Sequence, residues 1–260
     1  MPFRSLIGLA RHISVAGIAG LITGMLVGGV GGRLFMRIAG AANPGARGRT
    51  TEAGFTVGRI TLDGTLGLVV FVGLFVGVGG AVLYIIFRPW LPRAGKWRGV
   101  AFGVLLFAVG SATSDILNPD NVDFLILGNG GLLVAMIFGL FIGFGVLIDW
   151  LFGVLHLRLP AAESPPARAM YSTLAVLGLV LAALFIPFSL FTEQACSCDP
   201  PLLASSSVVV AAAGTLVRWW SGLRGQRYSP IARLLGWGGL SGALVFGLIR
   251  AVSDVVEIVG

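Results

Sequence analysis

Phe124-Leu-Ile-Leu-Gly-Asn-Gly-Gly-Leu-Leu-Val-Ala-Met-Ile-Phe-Gly-Leu-Phe-Ile-Gly-Phe-Gly-Val-Leu-Ile148 contains no charged residue from end to end. A hydrocarbon core about 30 Å thick is crossed by roughly 20 apolar residues in an α-helix, which alone satisfies its own backbone amides away from water. Six further uncharged stretches surround this one: Ile13 to Gly32, Gly64 to Phe87, Gly99 to Ser114, Ala169 to Thr192, Pro200 to Val217 and Leu234 to Ile249. The pattern predicts an all-α, polytopic transmembrane helix bundle of about seven spans. The stretches are too continuously apolar, and too poor in period-two alternation, for a membrane β-barrel. Composition agrees: 56% of the 260 residues are hydrophobic and 11% charged, against about a quarter charged in soluble domains.

The net charge of +7 does not point to nucleic acid, because no polar module with a reading element carries it. The basic residues fall between apolar stretches. Arg4 and Arg11 precede the first stretch, and Arg88, Arg93, Lys96 and Arg98 separate the second from the third. Arg158 and Arg168 lie between the fourth and fifth, and Arg218, Arg224, Arg227 and Arg233 between the sixth and seventh. Alternate connections carry Asp115, Asp120 and Asp123, then Glu193 and Asp199. By the positive-inside rule the N-terminus is expected in the cytoplasm and the C-terminus outside. The first outer loop departs from the pattern, with Arg47, Arg49 and Arg59 against Glu52 and Asp63. The apolar stretch behind Arg4 and Arg11 is about twice the length of a signal-peptide core, which makes it a retained signal anchor. Seventeen arginines against one lysine, with abundant Ala and Gly, suggest a high-GC bacterium and its cytoplasmic membrane.

The linker Arg158-Leu-Pro-Ala-Ala-Glu-Ser-Pro-Pro-Ala-Arg168 has prolines that interrupt helix. It divides a four-helix front, residues 1–157, from a three-helix back, residues 169–260. Within the front, Gly73-Leu-Phe-Val-Gly-Val-Gly79 echoes Gly139-Leu-Phe-Ile-Gly-Phe-Gly145, as two parallel hairpin repeats would, although glycine-rich apolar helices also match one another easily. Glycines recur at four-residue spacing at Gly20, Gly24 and Gly28, at Gly73 and Gly77, at Gly139 and Gly143, and at Gly238 and Gly242. Such edges let backbones approach, and in lipid they are packing seams or faces for a membrane partner or a second copy. In the first outer loop, Phe55 to Val57 and Ile60 to Leu62 flank Gly58-Arg59 as a small hairpin would; an irregular loop is the alternative.

Ionisable residues collect near the outer helix ends. Asp115 and Arg250 each stand seventeen positions beyond an inner anchor, Arg98 or Arg233, or roughly 26 Å of helix. Arg250, Asp254 and Glu257 share one face of the last helix, and Arg33 and Arg37 share one of the first. Charges at this depth pair, snorkel to headgroups or line a wet cavity. The cluster is therefore either a set of interhelical salt bridges or an outward-facing pocket for an anionic headgroup or solute. Asn118-Pro-Asp-Asn-Val-Asp123 gathers oxygen ligands but lacks the spacing of a calcium loop, and ordinary Asx turns explain it better. Cys196 and Cys198, both expected outside, suit a local or intersubunit disulfide. His12 and His156 at inner ends do not supply haem geometry.

No phosphate loop, zinc-protease or serine-hydrolase motif occurs, and no catalytic residue, metal or cofactor is implied. The expected function is that of a non-catalytic membrane component contacting lipid or a partner. The alternative is a small transporter or channel that uses the outer charges.

Overall fold

The computed structural model describes residues 6–51, 56–58, 66–67, 69–70, 73–92, 95, 97–191, 202–226 and 229–260, with backbone only for 115, 184–191 and 202. Among these residues the chain is all-helical apart from one isolated bridge, Thr50 to Thr56. Four helices are long and apolar enough to cross a membrane: Leu6–Ala42, Gly130–Arg158, Pro165–Ala183 and Leu203–Leu223. The elements are α1 (Leu6–Thr23), α2 (Gly32–Ala42), α3 (Gly73–Phe87), α4 (Trp97–Thr113) and α5 (Val122–Leu127). Then follow α6 (Gly130–Arg158), α7 (Pro165–Phe191), α8 (Leu202–Leu223) and α9 (Pro230–Val259).

Local chemistry sets several boundaries. Gly128 and Asn129 both take positive φ, and the Asn129 side chain accepts from the amide of Leu132, so α5 stops and α6 starts within two residues. Ser229 accepts from the amide of Ile231 ahead of Pro230, which opens α9; a proline loses nothing there because its missing N–H has no partner in the first turn. Prolines likewise start α7 after the 158–168 connection. The oxygen-rich segment before α5 forms Asx turns: Asn118 accepts from Asp120 N and Asn121 from Asp123 N.

The first helix outruns its uncharged stretch. α1 passes through a π-helical segment, Gly24–Gly31, into α2 without a break, and so carries the chain past Arg33 and Arg37 to Ala42. The glycine seam of this helix meets α3. A Cβ on Gly20 would lie 2.5 Å from the carbonyl oxygen of Gly77, and one on Gly24 would lie 2.6 Å from the backbone nitrogen of Gly77. Within the π segment, a Cβ on Gly29 would lie 2.7 Å from the Val69 side chain.

Other seams also differ from their sequence reading. α4 and α6 meet through Gly99 and Gly103 against Gly145, with a Cβ on Gly99 placed 2.9 Å from the Gly145 carbonyl oxygen. Gly139 and Gly143 have nothing within 4 Å of a Cβ. α8 and α9 pair along Gly214, Gly236 and Gly239; Gly242 joins them against Ser207, whereas Gly238 faces open space. α9 also packs on α4, and α7 on α1. The main core joins Val15, Ala19, Tyr84, Phe87, Trp90, Phe102, Phe144, Phe152 and Leu240 from front and back helices.

The segment that follows α2, expected as the first outer loop, has structure of its own. Pro44–Ala46 is a 3-10 turn, Arg47 Nε donates to the carbonyl of Gly40 at 2.8 Å, and Ala46 and Val57 pack with Ala39, Leu127 and Leu133. The hairpin expected around Gly58-Arg59 rests on Phe55, Arg59 and Ile60 to Leu62, which are not among the described residues. Val57 bonds back to Gly48 and Arg49, and Gly48 and Gly58 at positive φ turn the chain on either side.

Candidate functional site

At the end of the bundle expected outside, Arg33 sits on α2 with 7% of its surface exposed, while Arg37, one turn on, is exposed. Asp115 begins a 3-10 turn, Asp115–Leu117, which touches α9. On α9, Arg250 Nε lies 3.1 Å from Asp254 Oδ1, Asp254 is 3% exposed, and Glu257 points to the surface. The structure thus joins Arg250 to Asp254 within one helix and leaves Glu257 and Arg37 outside. Phe107, Leu117 and Ala251 form a small apolar cluster that joins α4, the 3-10 turn and α9. A cavity of about 300 Å³ opens nearby between α2, α5 and α6, lined by Phe35, Met36, Phe124, Leu133 and Ile137 with Asn121 and Asp123 among the few polar groups. Arg33, Arg37, Arg250, Asp254 and Glu257 are not part of that lining. Cys196 and Cys198 lie outside the described residues.

The denser polar network is at the other end of the bundle, and its centre is Asp149. Tyr84 on α3 donates its hydroxyl to Asp149 Oδ1 at 2.5 Å, Arg98 Nη1 on α4 approaches the same oxygen at 3.6 Å, and Arg88 Nε donates to the Tyr84 hydroxyl at 3.1 Å. The Arg88 guanidinium stacks 4.3 Å above the ring of Phe152. Phe152 in turn carries His12 edge-on and His156 face-on. Arg11 donates to the carbonyls of His156, Leu159 and Pro160 and so caps the end of α6, while Tyr171 donates to Pro160 O and Ser14 to Tyr171 O. One chain of contacts therefore ties α1, α3, α4, α6 and α7 together.

A second polar knot holds the back helices. Trp90, buried in the α3–α4 connection, donates its indole N–H to Thr215 at 2.8 Å, and Thr215 donates to Ile86 O at 2.7 Å. Arg218 stacks 5.3 Å from the Trp90 ring, and Gly236 lies flat against that ring. Only a glycine fits there.

His12 and His156, expected at inner helix ends, belong to the network around Asp149 and Phe152. Asp149, Tyr84 and Trp90 were not singled out by sequence reasoning. A signal for Asp149 existed: it is the first charge after Ile148, and Phe152 and His156 follow it on the same helix edge by spacings of three and four. Set against protein-family models, curated proteins and solved structures, the chain matches none of them. The function must be argued from the geometry.

Proposed function

We propose that this chain is a seven-span component of a bacterial cytoplasmic membrane, non-catalytic, with its N-terminus inside and its C-terminus outside. In this reading it is a four-helix front and a three-helix back joined through 158–168. The short apolar helices α3 and α4 and the long α9 complete the span count. The observation that carries the functional reading is that, among the described residues, Asp149, Thr215 and Asp254 are spent on other side chains of the bundle. Asp149 holds Tyr84 and Arg98, Thr215 holds Trp90, and Asp254 holds Arg250. Catalysis needs such groups aimed at an open space where a reacting atom can sit. Here they close helix contacts, while Leu157, Trp150, Val176, Leu216 and Val252 stand exposed, as lipid-facing residues do. The edge of α6 at Gly139 and Gly143 is left open for lipid, a second copy or another membrane protein.

The test is a pair of measurements on Gly139→Leu/Gly143→Leu. Its unfolding in detergent should match the parent, while the size of its assembly in native membranes should fall. An unchanged size would remove the partner role.

A second reading, transport through an outward pocket formed by Arg33, Arg37, Asp115, Arg250, Asp254 and Glu257, draws on the burial of Arg33, a charged side chain 7% exposed. Liposome uptake of an anion that vanishes in Arg33→Gln, in protein that still folds, would favour it over the first.

A further inference from the structure

We propose that the inner end of the bundle binds a phosphate-bearing anion between Arg88 and Arg98, with the headgroup of an anionic phospholipid as its source. The inference rests on the membrane reading above and names the ligand for a site that the sequence did not show.

Charge comes first. Two guanidinium groups converge on one carboxylate: Arg98 meets Asp149 directly, and Arg88 reaches it through the Tyr84 hydroxyl. That hydroxyl gives its proton to Asp149, so it offers Arg88 only a lone pair. Arg88 has no carboxylate against it among the described residues, and one positive charge is left over. Arg11 does not share it, because three carbonyl oxygens occupy its guanidinium. In sequence, Arg93 and Lys96 add further positive charge to the same connection.

Orientation comes second. The Nε of Arg88 is taken by Tyr84 and its flat face lies on Phe152. The end nitrogens form the part of the fork left for a ligand, and a guanidinium fork matches two phosphate oxygens. Holding the plane in advance lowers the entropy lost on binding.

Depth comes third, and it is an independent observation. Trp97 and Trp150, the sequence neighbours of Arg98 and Asp149, are 61% and 60% exposed. Exposed tryptophans on membrane helices mark the headgroup level. Basic pockets between helices at that level on the cytoplasmic side take anionic headgroups. The acyl chains would lie along the exposed apolar surface of α6, where Val146 and Leu157 face outward with Trp150.

The experiment is a thermal unfolding titration of the full chain in a neutral detergent with phosphatidylglycerol, phosphatidylcholine or inorganic phosphate. Phosphatidylglycerol should raise Tm in a saturable way and phosphatidylcholine should not. Arg88→Gln should weaken the apparent affinity by about tenfold or more, the loss of a charge-assisted pair. Arg88→Lys, which keeps the charge and loses the fork, should weaken it less and serves as the reading if Arg88→Gln does not accumulate. Inorganic phosphate reproducing the full shift, with the same loss in the variant, would assign the site to a soluble phosphate compound. Equal shifts with both lipids, or an undiminished phosphatidylglycerol shift in the Arg88 variants, would overturn the proposal. A failure of the membrane reading is seen separately, as wild-type protein that does not sediment with cell membranes.

Discussion

Two glycine motifs with the same spelling have opposite fates. Gly73-Leu-Phe-Val-Gly-Val-Gly79 on α3 packs its first and fifth residues directly on the backbone of the first helix, with Gly77 2.7 Å from the Gly20 carbonyl oxygen as measured from an added Cβ. Gly139-Leu-Phe-Ile-Gly-Phe-Gly145 on α6 leaves the corresponding glycines open and packs its seventh residue on Gly99 and Gly103 instead. The difference lies further along each helix. On α3, Gly77, Ala81, Tyr84 and Arg88 follow one another at intervals of four, three and four, so the small edge and the polar edge coincide. On α6, Gly145, Asp149, Phe152 and His156 make that series, and Gly139 and Gly143 lie on another edge. A glycine pair lets two helices approach, but the polar group on the same edge decides which pair is used. In lipid that polar group has few alternatives to an internal partner.

This comparison is broken or sharpened by substitution. Gly24→Val should have the largest effect, because its side chain would enter the backbone of Gly73 and Gly77, which has nowhere to move between two helices. We expect a loss of about 3 kcal/mol or more in reversible detergent unfolding, at the upper end of overpacking costs. Gly145→Val should cost about 1–3 kcal/mol, since its neighbours are again backbone, at Gly99 and Gly103. Asp149→Asn keeps an acceptor for Tyr84 and removes the ion pair with Arg98, so a smaller loss of about 1 kcal/mol is expected. In a double-mutant cycle, Asp149→Asn and Arg98→Gln should be non-additive, and additivity would mean that the 3.6 Å approach contributes nothing. Gly143→Val, spelled like the first α3 seam but open, should stay within about 0.5 kcal/mol of the parent. If Gly143→Val cost as much as Gly24→Val, the two motifs would be equivalent and the edge argument would fail.

The helical class and the apolar segments were legible because hydropathy is a property of single residues summed along the chain. The prolines of the 158–168 linker announced the start of α7, whereas the break at Gly128 and Asn129 inside the uncharged Phe124 to Ile148 stretch and the Ser229 cap of α9 were not read from the sequence. The seams were less legible, because spacing says that glycines share an edge and not what stands opposite. The π segment Gly24–Gly31 has no signature beyond glycine content. Charge counting drew attention to Arg33, Asp115 and Asp254, the residues that interrupt the outer flanks. It passed over Asp149, an acid among basic inner anchors, whose importance depends on Tyr84 sixty-five positions away in the chain. Trp90 was hidden for the same reason: its partners, Thr215 and Gly236, lie on α8 and α9.

In the proposed topology the chain crosses the membrane with the Asp149 network at the inner face and the Arg250–Asp254 pair at the outer one. Single cysteines at Ala162, in the α6–α7 connection, and at Asp120, before α5, test this most directly in a chain whose Cys196 and Cys198 are replaced by serine. An impermeant thiol reagent applied to intact cells should label the cysteine at 120 and should reach the one at 162 only after the membrane is opened. Labelling at 162 in intact cells with protection at 120 would reverse the orientation, and equal labelling at both would contradict a barrier between the two ends.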